Sequence, residues 1–174
     1  MSPSRAAVPD RVRWAVDLLD PGPGDTTLEI GPGPGVAAAL VCERLTTGKL
    51  LAIDRSSVAT RRTAERNAVH VASGRLEVRT IPLHALELPD GLLDGAFSID
   101  VNLFWTRSPA PELNLLLNAL RPGGALHICY GSAGPQTSER ITAPIAAALT
   151  VHGFVEVAVR AEADGTAVSA RTPG

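Results

Sequence analysis

Residues 27–35 read Thr-Leu-Glu-Ile-Gly-Pro-Gly-Pro-Gly, a short apolar run followed by a glycine at every second position. Leu28 and Ile30 predict a buried strand, and Glu29 lies near its end, where we expect the side chain to point into whatever the loop encloses. The glycines lack the Cβ atoms that would hold a ligand away from the backbone. The alanine-rich run after them predicts a helix whose first N–H groups point at the same space. This stretch therefore predicts the floor of a site for a nucleotide-type cofactor.

The composition limits the classes of protein that fit. A chain of 174 residues predicts one domain, 1–174, in which 1–24 form an N-terminal helix or cover segment. A formal charge of −2 gives no electrostatic reason to expect binding to nucleic acid. The two cysteines, Cys42 and Cys129, lie in apolar runs and predict core thiols and no metal site. The sequence has neither a run of about 18 apolar residues nor a signal-peptide core, so we expect a cytoplasmic protein without a membrane partner.

Short apolar runs alternate with helical patterns along the chain, which is typical of an α/β protein. After the N-terminal helix, strand and helix patterns alternate, and the chain closes with a hairpin around Ala163-Asp-Gly165. Pro144 in the last predicted helix indicates a kink or a late start. The predicted strands are 26–31, 50–53, 76–81, 95–102, 125–130, 154–160 and 166–171, and the predicted helices are 10–19, 35–45, 57–69, 111–120 and 138–152, with a loop at 131–135.

Two further acids lie at predicted strand ends. Asp54 closes the second strand, where nucleotide-binding folds place a carboxylate for the ribose, because one carboxylate offers two adjacent acceptors to a cis-diol. Asp100 lies where the fourth strand becomes polar, and ligands of open α/β sheets bind beyond such ends. The aromatic pair Phe104 and Trp105 follows and either lines a substrate pocket or anchors the loop.

Four separated motifs, in this order and spacing, resemble class I (Rossmann-like) S-adenosylmethionine-dependent methyltransferases over residues 25–171. They are Glu29-x-Gly31-x-Gly33-x-Gly35, Asp54, His84-Ala-x-x-Leu-Pro89 and Leu120-Arg-Pro-Gly-Gly124. The resemblance implies a three-layer α/β/α sandwich with a mostly parallel seven-stranded sheet, whose last strand inserts antiparallel between the fifth and the sixth. It implies S-adenosylmethionine as cofactor and these binding residues: Glu29, Gly31, Pro32, Gly33, Gly35, Asp54, Arg55, His84, Ala85 and Asp100.

His84 departs from the pattern of this family. The family usually has an aspartate there that takes the adenine amino group, and the next amide, here that of Ala85, takes a ring nitrogen. A neutral imidazole can accept the same proton only in one tautomer. Three interpretations stay open for His84: an adenine contact, a catalytic base, or an exposed loop residue.

The acceptor is inferred by exclusion. The segment after the fourth strand lacks the Asn/Asp-Pro-Pro-Tyr/Phe motif of amino-group methylation in nucleobases and glutamine, and the sequence has neither a cysteine nucleophile arrangement nor a metal cluster. We therefore expect a small-molecule acceptor, assign no catalytic residue and leave the oligomeric state open. The alternatives are a non-catalytic cofactor-binding or protein-interaction member of this fold, and a nicotinamide-dependent oxidoreductase. Val36, where a dinucleotide loop has Gly or Ala, and the terminal hairpin oppose the oxidoreductase.

Overall fold

The fold is taken from a computed structural model that describes residues 7–131 and 139–174. The strands are β1 Thr26–Ile30, β2 Lys49–Asp54, β3 Leu76–Thr80, β4 Leu93–Ile99, β5 Leu120–Gly131, β6 Val155–Glu162 and β7 Gly165–Arg171. The helices are α1 Asp10–Leu19, α2 Val36–Arg44, α3 Ser57–Arg66, α4 Ala68–Ala72, α5 Leu103–Thr106, α6 Ala110–Ala119 and α7 Glu139–Val151, with a 3-10 turn at Leu83–Ala85.

The seven strands form one sheet in the order β3-β2-β1-β4-β5-β7-β6. Neighbours from β3 to β5 pair in parallel, whereas β7 pairs antiparallel with both β5 and β6. The predicted insertion of the last strand between the fifth and sixth is confirmed. Because the parallel strands share a direction, their carboxyl ends lie along one edge of the sheet.

Helices cover both faces of the sheet, which confirms the three-layer sandwich. Successive side chains of a strand point to opposite faces. Leu28 and Ile30 of β1 pack in the core cluster that contains Leu116 of α6 and Ile145 of α7. The opposite face packs in a second cluster with α1 and α2, which includes Val41. Glu29, between Leu28 and Ile30, therefore points to the face covered by α1 and α2.

The N-terminal helix was predicted over 10–19 and lies there. Its apolar side, Val12, Ala15 and Val16, is buried. Val12 and Val16 pack in the same cluster as α2. Helix α1 thus packs on the sheet beside α2.

Several element boundaries differ from the predicted ones. The predicted helix 57–69 is divided at Asn67 into α3 and α4. Strand β4 ends at Ile99 because Asp100 takes a left-handed backbone, with φ +56°. Strand β5 begins at Leu120, five residues before the predicted start at Ala125, with an irregularity in its pairing to β4. Helix α7 keeps Pro144 inside it, whereas most of the predicted loop 131–135 and the predicted helix start at Ser138 lie outside the described residues.

Candidate functional site

The glycine loop forms a tight bend directly after β1. Gly31 continues the ladder, since its N–H donates to the carbonyl of Ile53 at 2.9 Å. Gly35 closes the bend by donating to the carbonyl of Pro32, also at 2.9 Å. The φ angles of Gly31, Gly33 and Gly35 are +72°, +53° and +81°, a region that side chains with a Cβ rarely adopt.

The three glycines serve different purposes. A Cβ on Gly31 would lie 2.6 Å from a methyl carbon of Val101, and one on Gly35 would lie 2.9 Å from the backbone of Thr63. A Cβ on Gly33 would meet nothing within 4 Å. Gly31 and Gly35 are therefore required by packing within the protein, whereas Gly33 faces open space.

Helix α3 holds this bend from one side. The Thr63 hydroxyl donates to the Gly33 carbonyl at 3.0 Å, and the Asn67 amide donates to the Gly35 carbonyl at 2.9 Å. Both side chains are buried, and Asn67 also bonds the Thr63 carbonyl, which ends the helix. Sequence reasoning missed this pair. Its signal is two small polar residues four positions apart, Thr63 within α3 and Asn67 at its C-cap.

A cavity of about 440 Å³ lies beyond the carboxyl ends of β1 and β2. This volume lies within the range of small-molecule sites. One wall is the end of β2 with Asp54 and Arg55, and the segment 81–84 after β3 adds another. The residues that follow β4, together with Glu112 of α6, form a further part of the lining. Ile30 and Gly31 close the cavity beside the glycine bend.

Asp54 presents a fixed carboxylate to this cavity. Its Oδ1 atom accepts the N–H of Ser56 at 2.8 Å, and Ser56 in turn caps α3 by accepting from Ala59. Within the described residues, Oδ2 of Asp54 accepts no hydrogen bond, so it can take a ligand hydroxyl. Arg55 follows as an exposed cation at the same wall. The structure thus places both of these predicted residues at the cavity.

Three ionisable side chains of the cavity lining lie close together, and we call them the Glu112 cluster: Glu112, Arg107 and His84. Arg107 donates to both carboxylate oxygens of Glu112, and His84 Nδ1 lies 3.9 Å from Oε1. Burial acts to raise the pKa of Glu112, but the hydrogen bonds from Arg107 and the backbone outweigh it and bring the pKa below its usual value. Glu112 is therefore an ionised carboxylate in a buried position.

The sequence analysis missed two members of this cluster. Glu112 lies in the first turn of α6, where acids are common because they interact favourably with the helix dipole. Its position in the sequence therefore gives no sign of a ligand site. Arg107 lies in the short connection before that helix. Only the fold brings both to His84, which is exposed in the 3-10 turn after β3.

Glu29 is buried in the sheet. It is 2% exposed, lies between Ala52 and Phe97 on neighbouring strands, and has no hydrogen-bond partner for Oε2 among the described residues. Burial raises the pKa of Glu29 to about 8. The cavity described above is lined by its neighbour Ile30 and not by Glu29. Its contact with a cofactor stays a prediction.

Asp100 and Ala85 also lie outside the lining of this cavity. The Asp100 carboxylate accepts the N–H of Gly131 at 3.0 Å and pairs with Arg11 of α1 at 3.1 Å. The N–H of Ala85 donates to the Pro82 carbonyl at 3.0 Å, so that amide is engaged within the 3-10 turn. Pro32, Gly33 and Gly35 form the bend itself without lining the cavity. For these residues, as for Glu29, a role in cofactor binding remains a prediction.

The aromatic pair after β4 fits the second of its two alternatives. Phe104 is 2% exposed and packs in the core with α6 and α7. The Trp105 indole N–H donates to the side-chain oxygen of Asn102 at 3.3 Å. Both side chains therefore anchor the segment that carries Leu103, Thr106 and Arg107 to the cavity.

Two other kinds of site are absent from the described part of the chain, residues 7–131 and 139–174. No helix there is both long and apolar enough to span a bilayer. No three His, Cys, Asp or Glu residues there are grouped so that they could hold a metal ion. His127 is buried in β5, where Nδ1 is 2.8 Å from the Ser169 hydroxyl.

Comparison with known proteins agrees with this arrangement. The methyltransferase domain family matches residues 27–124, from the glycine bend to the end of the Pro-Gly-Gly segment. An S-adenosylmethionine-dependent methyltransferase of Aquifex aeolicus superimposes with a TM-score of 0.76 and 20% identity, covering 98% of this chain and 93% of that one. A putative S-adenosylmethionine-dependent methyltransferase of Methanococcus maripaludis gives 0.79 and 15%, covering 96% and 85%.

A relative found by sequence is uncharacterized and so indicates no activity. The uncharacterized 37.1 kDa protein in transposon TN4556 of Streptomyces fradiae is 34% identical over 116 residues, which is 64% of this chain and 31% of that protein. The chain thus matches less than a third of the length of this relative. The fold and site define a Rossmann-like methyltransferase domain. The chain belongs to the methyltransferase domain family, whose model matches more than half of it.

Proposed function

We propose that the protein binds S-adenosylmethionine in the cavity between Asp54 and the Glu112 cluster and transfers the methyl group to a small-molecule acceptor. The observation that carries this proposal is the Asp54 carboxylate, which lines the cavity at the end of β2; among the described residues only the Ser56 N–H bonds it, so both oxygens keep an acceptor position. A cis-diol needs two adjacent acceptors, and an ionised carboxylate supplies them.

The other features of the cavity support the same ligand. Ile53, Leu83 and Leu103 give it apolar surfaces on which a flat purine ring can pack. Gly31, at the start of the bend, lines the cavity with its backbone. The residues present therefore fit an adenosyl group at its ribose and at its ring.

The bound sulfonium would supply a methyl group that is already activated and leaves behind a neutral thioether. The protein then has to align the acceptor with this methyl group and exclude water. Asp54 would fix the ribose, and the glycine bend, held by Thr63 and Asn67, would fix the backbone next to it. These residues bind and orient without taking part in bond making.

No side chain is assigned as a general base. Burial raises the pKa of Tyr130, and its hydroxyl donates to the Val101 carbonyl at 2.9 Å, so it is held protonated. Asp100 is paired with Arg11. A base is needed only where the acceptor must lose a proton, and an amine or thiolate acceptor can react without one.

The test combines binding and turnover. Calorimetry should show saturable binding of S-adenosylmethionine and S-adenosylhomocysteine and none of NAD. Incubation with a panel of amine, hydroxyl, thiol and carboxylate acceptors should release S-adenosylhomocysteine, and Asp54→Ala should abolish both signals because it removes the carboxylate that lines the cavity. Binding of NAD alone would contradict the proposal, and cofactor binding without turnover over the whole panel would favour a non-catalytic member of the fold.

A further inference from the structure

We infer that Asp100, held by Arg11 of helix α1, is a positioning residue that sets segment 101–107 against the cavity. The inference rests on the proposed function, because this segment forms part of the lining around the space in which we place the cofactor. It gives Asp100 a role that acts through the backbone and not through contact with the ligand. It also makes α1, which lies outside the cavity lining, a support of the site.

The backbone of Asp100 sets the direction in which the chain leaves the sheet. Its φ angle is +56°, in the left-handed region that few residues with a Cβ adopt, aspartate and asparagine more often than most. Strand β4 ends one residue earlier, and Val101, one residue later, lines the cavity. A residue in such a conformation persists only where its surroundings hold it. The placement of Val101 therefore depends on what holds Asp100.

Hydrogen bonds to two strands and one helix hold Asp100. Its N–H donates to the Cys129 carbonyl at 2.9 Å, and its Oδ1 atom accepts from the N–H of Gly131 at 3.0 Å. Its Oδ2 atom accepts from Nε of Arg11 at 3.1 Å. The carboxylate thus joins the end of β4 to the end of β5 and to α1. Of these bonds, only the one from the backbone N–H would survive removal of the carboxylate.

The residues after Asp100 extend this placement to the cavity. The Val101 carbonyl accepts from the Tyr130 hydroxyl at 2.9 Å, and a Val101 methyl carbon lies only 2.6 Å from where a Cβ on Gly31 would be. Val101 is therefore packed against the glycine bend. A change of backbone direction at Asp100 would move the rest of the segment relative to that bend. The lining residues that follow in the segment are Asn102, Leu103, Thr106 and Arg107.

Two other roles for Asp100 make different predictions. A role confined to fastening β4 to β5 would affect stability and leave ligand affinity unchanged. A direct role would place the carboxylate against a cationic group of the cofactor. Removal of the competing Arg11 cation would then strengthen binding, whereas under the positioning role it weakens binding. The two side chains are 47% and 45% exposed, so this ion pair by itself contributes little to stability.

Calorimetry with S-adenosylhomocysteine distinguishes these roles through two variants of Asp100. Asp100→Gly removes the carboxylate but keeps positive φ accessible, so the fold should persist. We expect its affinity to fall by about 10-fold, the order of a lost hydrogen bond. Asp100→Asn tolerates the same φ and can still accept the Gly131 N–H, so it should stay within about threefold of the wild type.

The contribution of α1 is measured with the same ligand. Arg11→Gln should weaken binding by about two- to threefold, the range of an exposed ion pair, because the carboxylate loses one of its partners. Arg13→Gln is the matched control, since Arg13 is exposed on the same helix and lies outside the cavity lining. The control should bind as the wild type does.

A fluorescence measurement reports the placement of the segment with or without ligand. The chain has two tryptophans, Trp14 and Trp105, so Trp14→Phe leaves Trp105 as the sole indole reporter. In this background, Asp100→Gly should shift the Trp105 emission of the folded, ligand-free protein to longer wavelength. The indole gains access to water when its hydrogen-bond partner Asn102 moves. Asp100→Asn should restore the original spectrum, and a role confined to fastening the strands would leave it unchanged.

Three results would overturn the inference. They are a folded Asp100→Gly protein that keeps either its affinity or its Trp105 emission, equal losses of affinity in Asp100→Gly and Asp100→Asn, and an Arg11→Gln protein that binds as tightly as the control or more tightly. Melting temperatures show which variants are folded, and if Asp100→Gly does not fold, Arg11→Gln provides the test. If the wild type does not bind S-adenosylhomocysteine, the proposed function fails, whereas the emission spectra still test the positioning role.

Discussion

At the scale of single residues, Glu29 is an acid whose buried surroundings disfavour the charged form of its side chain. It is fully enclosed between β2, β4 and the helices of one face, and no described group pairs with its Oε2 atom. Burial disfavours the charged form and raises the pKa to about 8. The folded protein therefore holds a neutral carboxyl group at a position where the unfolded chain would have a carboxylate at neutral pH.

This difference makes the free energy of unfolding depend on pH. Between the ordinary Glu pKa of 4.5 and about 8, the native state binds a proton that the unfolded state has released, so stability falls as pH rises. The slope from one such group is at most about 1.4 kcal/mol per pH unit. Burial lowers the pKa of His127 from 6.5 to about 4, so this residue makes stability rise with pH. Its contribution is confined to pH values below about 6.5.

The interval from about pH 6.5 to about 8 consequently isolates Glu29. We expect Glu29→Gln to flatten the loss of stability that the wild type shows there, since the amide carries no charge at any of these pH values. Urea unfolding at several pH values measures both profiles. Parallel profiles of the two proteins would show that Glu29 is ionised in the native state.

At the scale of elements, hydrogen bonds from Thr63 and Asn67 hold the glycine bend against α3. Gly33 and Gly35 both have positive φ, so alanine at either position costs about 1–2 kcal/mol in backbone strain. At Gly35, the new Cβ also meets the Thr63 Cα at 2.9 Å and forces α3 to move, whereas at Gly33 it meets open space. We therefore expect Gly35→Ala to lose about 1–3 kcal/mol more stability than Gly33→Ala.

Denaturant unfolding of the two variants checks this difference, and Gly33→Ala serves as the control for backbone strain. Equal losses would mean that α3 does not pack against the bend. A Gly35→Ala protein that lost cofactor affinity at unchanged stability would place Gly35 in ligand contact instead.

The sequence predicted most elements because their signals are local. The alternation of strands and helices and the terminal hairpin follow from periodicity and turn residues within each segment. The break at Asn67 was not predicted because it depends on a hydrogen bond to Gly35, 32 positions earlier. The end of β4 was not predicted because Asp100 is held by Arg11 and Gly131, which are distant in sequence.

The same distinction applies to the site. Asp54 and Arg55 were predicted at the cavity because a strand end fixes their place. Glu112 and Arg107 were missed because they reach His84 only once α6 has packed on the sheet. Glu29 was expected to project into the space that the loop encloses; its side chain is buried between Ala52 and Phe97, and its contact with a cofactor stays a prediction.

At the scale of the whole molecule, the strand order determines where a ligand can bind. From β1 the chain moves outward to β2 and β3 and then returns to β4 on the other side of β1. Crevices in open α/β sheets form at such a reversal, beyond the carboxyl ends of the strands. The cavity lies there, with Gly31 after β1 on one side and Val101 after β4 on another.

The central claim is that Asp54 in this crevice binds the ribose of an adenosyl cofactor. Calorimetric titration with S-adenosylhomocysteine, comparing the wild type with Asp54→Asn, tests it most directly. Asparagine keeps an acceptor for the Ser56 N–H, so the fold should persist, and Asp90→Asn, exposed and outside the cavity lining, is the matched control. We predict saturable binding by the wild type and the control, and a loss of at least about 100-fold in Asp54→Asn, as expected for two hydrogen bonds to a charged group. Equal affinity of all three proteins would contradict the account.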